Sequence, residues 1–370
     1  MLDKTKADIP ERFKTHPLFN ELVCGTNFGF MAKRGYYETE YARSQPALMR
    51  KEGINWATLN ANFVCEHFYS TRLFLDFKYS SGSEELVEMA KRLHDEGIRI
   101  LFKPCMTPLD GVWMGRVDFP SDSDVTQIDG VKIEFWKKWF ESYNECMKYY
   151  SELAERMGAE AMLVGAEYFG TELQNDYWLK TVENIRSYYN GPLSYEFDMK
   201  SYSVGHANEW MNALDFLSFS YYPAARPMNK EYVSPISNPG VKDLPDATLE
   251  DMLSYLEPQK QVIRDLCARY GNKPIAFTEI GTRSAHGTTV KPSDFRWPSR
   301  YDGEEQANYM EACFRTFRDI ETWLGFFWWK WDETQIRPHY KTDPAGDQGF
   351  TIQGKPAAVV MRRWNAKKNG

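Results

Sequence analysis

Two apolar, β-prone runs of this chain end on a glutamate. Ala161-Met-Leu-Val-Gly-Ala-Glu167 is one; Lys273-Pro-Ile-Ala-Phe-Thr-Glu-Ile-Gly281, which carries Glu279, is the other. A strand buried in a parallel sheet reads as an apolar run, and an unpaired charge at its end is costly to bury. A carboxylate in that place needs a partner or a task. In a (β/α)8 barrel the C-terminal ends of the strands are where catalytic groups sit. A pair of carboxyl groups, one ionised and one holding a proton, is what cleavage of a glycosidic bond requires. A buried ion pair with Arg or Lys at the barrel mouth is the structural alternative for both.

The elements that must position these glutamates alternate along the chain. Strand-like runs fall at 21–30, 54–65, 98–105, 161–167, 192–198, 215–222, 274–280 and 324–331. That is about the eight strands a closed barrel needs. Helical periodicity lies at 83–96, 131–157, 175–189, 259–270, 304–320 and 356–367. Leu86, Met89, Ala90 and Leu93 recur at helical spacing, with Ser81 and Glu84 as a candidate capping box and Gly97 as the C-terminal cap. Such alternation means parallel β/α architecture. The expectation is a TIM barrel in which residues 1–370 form a single glycosidase catalytic domain. Helix-to-strand links are short, whereas four strand-to-helix links are long, at roughly 106–130, 223–246, 281–303 and 332–354. Long ordered loops are usually functional. All four leave the face on which both glutamates lie.

Composition narrows the partners. A net charge of −7 argues against a nucleic-acid backbone. Twelve Trp, 22 Tyr and 23 Phe supply a large core and leave rings for sugar faces to pack on. The six cysteines form no CxxC pair, and the six histidines show no metal spacing. No Gly-rich phosphate loop appears either, so no cofactor or metal is expected. The N-terminus lacks an apolar signal region, from which a cytoplasmic location is expected. No run approaches the ~20 apolar residues of a membrane span.

The ordered set of short segments is more specific than any one of them. It comprises Gly25-Thr-Asn-Phe-Gly29, Phe102-Lys-Pro104, Val164-Gly-Ala-Glu167, Trp178 and Ile185-Arg-Ser-Tyr-Tyr-Asn-Gly-Pro-Leu-Ser-Tyr195. Ser220-Tyr-Tyr-Pro223, Phe277-Thr-Glu-Ile-Gly-Thr-Arg-Ser284, Phe327-Trp-Trp-Lys-Trp-Asp332 and Gly349-Phe-Thr-Ile-Gln-Gly-Lys-Pro-Ala357 complete it. In this order the chain resembles glycoside hydrolase family 113, the β-mannanases, over nearly its whole length. That family belongs to the clan of (β/α)8 retaining glycosidases with the acid/base on strand 4 and the nucleophile on strand 7. The resemblance implies Glu167 as acid/base and Glu279 as nucleophile. Ala166 stands where many clan members have Asn, and Glu172 competes with Glu167 as the acid/base. The resemblance also implies a strand-6 Tyr donating to the nucleophile, Tyr221 with Tyr222 as its rival.

Further substrate-binding candidates come from their places on strands. Lys103 ends the third strand and is a candidate for sugar hydroxyls or for the neighbouring carboxylate. Trp329 is the candidate sugar platform, sharing one face of the last strand with Phe327 and Trp331 by alternation. Asn27 and Asn62 are candidates from strands 1 and 2. Arg283, His286 and Trp297 lie in the loop after Glu279, either shaping a subsite or stabilising the loop. The resulting expectation is a retaining β-glycoside hydrolase acting on β-1,4-mannan, glucomannan or manno-oligosaccharides. An exo-acting β-mannosidase or another β-glycanase of the same mechanism is the nearer alternative. A non-catalytic carbohydrate-binding barrel is the more distant one.

Overall fold

A computed structural model of the protein describes residues 16–122, 126–128, 130–199, 208–227, 244–295, 299–332 and 348–366. Eight parallel strands close into a barrel in which each strand pairs with its sequence neighbours. They are β1 (Val23–Phe28), β2 (Trp56–Cys65), β3 (Arg99–Pro108), β4 (Ala161–Ala166), β5 (Leu193–Asp198), β6 (Leu217–Ser220), β7 (Ile275–Ile280) and β8 (Trp323–Trp328). Every strand-like run of the sequence is a barrel strand. Around them, among the described residues, lie α1 (Glu40–Lys51), α2 (Ser83–Asp95), α3 (Phe135–Met157), α4 (Asn175–Arg186), α5 (Leu249–Leu256), α6 (Gln259–Arg269), α7 (Gly303–Phe317) and α8 (Pro356–Ala366). This is the (β/α)8 barrel that the alternation implies.

Side chains alternate along each strand between two cores. The outer one fills the space between barrel and helices and takes Cys24, Phe63, Phe102, Val164, Phe219, Phe277 and Trp328. The inner one plugs the lower barrel with Val23, Trp56, Leu101, Leu163, Phe216 and Phe327, and Leu18 from a short helical turn joins it. Above that plug the inward positions turn polar. Asn27, Thr58, Asn60, Lys103, Glu196, Ser218 and Thr278 are all buried there. The sequence thus builds an apolar floor under a polar chamber.

Three local expectations shift. The long helix expected from 131 starts at Phe135, because Val131–Ile133 pairs antiparallel with Thr126–Ile128. The Asp122 carboxylate accepts the backbone N–H groups of Trp136 and Lys137 at 3.0 and 3.1 Å, and so fixes that start. The cap of α2 moves by one residue: Gly82 is the N-cap and Glu85 accepts its N–H. Gly97 does end α2, at φ 69°, a conformation that costs glycine least. Helices α1 and α5 were not expected; Pro46 interrupts the pattern of the first, and the second spans only 8 residues.

Candidate active site

Both strand-end glutamates reach the chamber through departures from strand regularity. On β7, Phe277 pairs with Phe219 and the next pair is Glu279 with Ser220, so β7 carries one extra residue. The β8 side shows the same slip between Phe326/Phe277 and Trp328/Ile280. Strict alternation from the outward Phe277 would send Glu279 outward as well. The bulge keeps it inside and returns Ile280 to the outer core. On β4 an extra residue lies between the pairs Leu163/Ser194 and Ala166/Glu196. A Cβ on Gly165 would meet Tyr195 at 2.8 Å and Tyr143 at 3.0 Å, so this turn of the strand needs a glycine. Glu167 then adopts φ 55°, a left-handed conformation that costs a non-glycine residue roughly 1–3 kcal/mol.

The result is a compact carboxylate cluster. One oxygen from each of Glu167, Glu196 and Glu279 can be chosen so that all three lie within 4.8 Å of one another. Lys103 sits among them, its Nζ donating to Glu196 Oε1 and to Glu279 Oε1, both at 2.6 Å. An ammonium this buried survives only with such partners, and leaving a buried charge with none typically costs about 3–5 kcal/mol. Tyr222 donates to Glu279 Oε2 at 3.1 Å. Burial, helped by the nearby carboxylates, holds the Tyr222 phenol well above its ordinary range, so it stays a donor. Burial likewise pushes Glu167 up to about 7, with the Glu279 charge adding to the rise and the Ser220 hydroxyl opposing it. Glu196 is pushed up to about 8, chiefly by burial, against the pull of Lys103.

The cluster opens into a cleft of about 940 Å³ on the face of the long loops. Phe30, Trp113, Met114, Phe169, Met199, Tyr222 and Trp329 give it aromatic and apolar walls, with Arg116, Asp198 and Ser220 as polar points. Trp113 stands on the β3–α3 loop, 41% exposed, and donates its indole N–H to Glu167 Oε2 at 3.1 Å. Trp329 packs edge-on against Phe30 at 4.6 Å between centroids, with Lys103 Nζ 5.7 Å from its ring centroid. Its peptide bond to Lys330 is cis. A second depression, of about 640 Å³, lies among Glu21, Arg50, Arg99 and Arg362 and contains none of the three carboxylates.

The sequence-derived candidates separate clearly. Glu167, Glu279 and Trp329 line the cleft, and Lys103, itself buried, reaches the site through its bond to Glu279. Tyr221 lines the cleft but is not the tyrosine placed to donate to the Glu279 carboxylate: its hydroxyl donates to Gln259 Oε1 at 2.7 Å, and its ring packs on Phe277 and Phe317 in the outer core. Tyr222 takes that position, because one more step along the strand reverses the side-chain direction. Asn27 is fully buried, bonded to the Thr278 carbonyl and to Thr58, so it ties strands together. Asn62 is buried and donates to the Ala32 carbonyl, beside a separate pocket with Tyr79 and Leu109. Neither asparagine lines the cleft. Glu172 lies fully buried away from it, accepting from Tyr195 and Asn208 at 3.3 and 3.5 Å. Trp331 leaves the face of Trp329 and donates its indole N–H to Gln45 in the outer layer.

In the β7–α7 loop, Arg283 bonds to the Asp294 carbonyl, and His286 is buried among Asp246, Asp302 and Glu305. Arg300 already supplies a cation there, 2.8 Å from Asp246. Both residues anchor the loop. Trp297 lies outside the described residues. Among the residues the sequence reading missed are one of the buried cluster and one of the cleft. Glu196 and Trp113 sit, respectively, in an ordinary-looking strand and in a loop without periodicity.

The profile of Glycoside Hydrolase Family 113 matches residues 26–355 of the chain. Comparison with curated proteins gives no match. Among solved structures, a family 113 β-mannanase from Alicyclobacillus acidocaldarius, in complex with ManMIm, is 25% identical with a TM-score of 0.75, over 94% of this chain and 98% of that one. A complex of a family 113 β-1,4-mannanase is 22% identical with a TM-score of 0.73, over 94% of this chain and 99% of that one. A β-glucuronidase from Ruminococcus gnavus shares the fold at 16% identity and a TM-score of 0.54, over 93% of this chain and 50% of that one.

Proposed function

Because the chain belongs to glycoside hydrolase family 113, we propose that it cleaves β-1,4-linked mannan, glucomannan or manno-oligosaccharides with retention at the anomeric carbon. Glu279 attacks C1 while Glu167 gives its proton to the departing glycosidic oxygen. Glu167 then takes a proton from water, which attacks C1 and frees Glu279 as a carboxylate.

The observation that carries this reading is the closeness of the two carboxyl groups, with an oxygen of each within 4.8 Å. Retaining enzymes hold theirs about 5–5.5 Å apart, whereas inverting enzymes leave roughly 6.5–9.5 Å for a water. Their surroundings also differ as the two roles demand. Glu279 accepts from an ammonium and a phenol, and Glu167, pushed up to about 7, is suited to hold a proton. Trp329 and Phe30 on one wall and Trp113 beside Glu167 offer faces for sugar rings. Trp113, touching the acid/base, belongs on the leaving-group side. The family and the mannanase neighbours support the substrate class.

The test is to digest manno-oligosaccharides and follow the anomers of the fresh product by NMR. The β-anomer is expected first. Initial release of the α-anomer would overturn the retaining assignment, and absence of cleavage on any mannan or manno-oligosaccharide would overturn the substrate.

A further inference from the structure

The reaction as written uses Glu167 and Glu279 and leaves Glu196, the third carboxylate of the cluster, without a task. Glu196 is fully buried. Its Oε1 takes a hydrogen bond from Lys103 as short as the one Lys103 gives to Glu279. Its Oε2 is sealed from solvent and has no hydrogen-bond partner among the described residues, so it does not reach a bound sugar. What Glu196 touches is the cation that it shares with the nucleophile. We propose that Glu196 is a positioning residue that becomes the counter-ion of Lys103 while Glu279 is bonded to the sugar. This rests on the double-displacement reading given above.

The argument is one of charge. In the resting site Lys103 faces two carboxyl groups, Glu196 and Glu279. When the Glu279–C1 bond forms and the glycosidic C1–O bond breaks, the leaving oxygen takes the proton of Glu167. The negative charge of Glu279 is then spent in the ester. A buried ammonium left without an anion is expensive. Glu196 is the other carboxylate already in contact with it.

The electrostatics of Glu196 run in the required direction. Burial is the main reason its proton is held up to about 8; Lys103 opposes that rise and the Glu279 charge adds to it. Esterification removes the Glu279 contribution and leaves the pull of Lys103, which outweighs the opposing charge of the newly ionised Glu167. Glu196 then ionises, its proton passing to solvent by way of the Glu167 carboxylate, which lies within 4.8 Å of it and lines the open cleft. In the second step water adds to C1, its proton goes to Glu167, Glu279 departs as a carboxylate, and Glu196 takes a proton back. The net charge of Lys103 with the two carboxyl groups bonded to it is the same at both stages. Glutamine at this position copies the neutral acid and cannot ionise, so it supports the resting site and fails the intermediate.

The two half-reactions can be read separately with 2-deoxy-2-fluoro-β-mannosyl fluoride. Intact-protein mass spectrometry follows the rate of labelling and, after the reagent is removed, the rate at which the label is lost. In Glu196→Gln the ratio of labelling to reactivation rate constants is expected to fall about tenfold or more, with reactivation no slower than in the wild type. A general disturbance of Glu279 slows both steps together. A ratio within about twofold of the wild type overturns the proposal. Glu196→Asp keeps the charge and guards against a folding defect in the first variant. It is expected to hold a ratio within a few-fold of the wild type, and a tenfold fall in a folded Asp variant overturns the assignment. The wild type alone tests the underlying reading: if no label forms, or peptide mapping finds it elsewhere than on Glu279, the double displacement itself fails.

Discussion

Tyr222 donates its phenolic hydrogen to Glu279 at 3.1 Å, opposite the ammonium of Lys103 on the other carboxylate oxygen. Glu279 is therefore gripped from two sides, by one neutral donor and one cation. A hydrogen bond to a charged group contributes about 1.5–3 kcal/mol. Tyr222→Phe is expected to lower kcat/KM on manno-oligosaccharides by roughly 10- to 100-fold. Tyr221→Phe loses only the bond to Gln259 and should stay within a few-fold. Steady-state kinetics of the pair decide, and equal losses in both variants would sink the assignment.

Glu279→Ala is expected to abolish turnover and to leave the barrel folded. Lys103 keeps Glu196 as its partner in that variant, so no unpaired buried ammonium results. Circular dichroism should be unchanged while hydrolysis falls by about 10⁴-fold or more. Wild-type activity in this variant on every substrate would refute the role.

On the proposed mechanism the proton on Glu167 is expected to set the alkaline side of the pH profile. Burial and the Glu279 charge put its titration at about 7, and the first step needs the protonated form. Above that value the kcat/KM on unactivated manno-oligosaccharides is expected to fall tenfold per pH unit. Glu167→Gln should remove this limb and lose far less activity on an aryl glycoside whose leaving group needs no proton. A limb that persists unchanged in the variant would point to another acid.

Glu172 is the control carboxylate. Burial raises it to about 8 against an ordinary 4.5, although Tyr195 and Asn208 bond to it. As pH rises through 4.5 the unfolded chain ionises first, while the folded chain keeps its proton until about 8. Stability is therefore lost progressively across that window. Glu172→Gln escapes the loss, so its melting temperature should gain on the wild type between pH 5 and pH 8. Its kcat should stay within a few-fold. A kcat collapse without a melting change would give Glu172 the chemistry assigned to Glu167.

The barrel was legible because its parts are locally encoded. Buried parallel strands read as apolar runs, and short helix-to-strand links against long strand-to-helix loops told the two faces apart. Glu167 and Glu279 stood out because each breaks an apolar run at its end. Glu196 did not, since Ser194-Tyr-Glu-Phe-Asp198 reads as an ordinary alternating strand; only its phase with the inward Ser194 marks it. The same phase, carried from Ser218 and Ser220, would have chosen Tyr222 over Tyr221. Asn27 and Asn62 were chosen by strand alone. A strand fixes direction but not height, and Asn27 sits in the interstrand network below the cleft while Asn62 faces another pocket. Trp113 depends on a loop whose course no periodicity records.

The one-residue slips on β4 and β7 bear on any attempt to make this protein more robust. Regularity is the usual target of stabilisation: straighter ladders, side chains in place of glycines, relaxed backbone angles. Here Gly165, the φ of Glu167 and the extra residue of β7 are the obvious sites for such repair. Each is also what turns a carboxylate toward the cleft. Glycine at position 167 would suit that backbone better and would leave the cleft without the proposed acid. Thermostable variants selected by melting point alone should therefore accumulate silent barrels, and the safe places to gain stability are the helices and the apolar floor, away from the upper ends of β4 and β7.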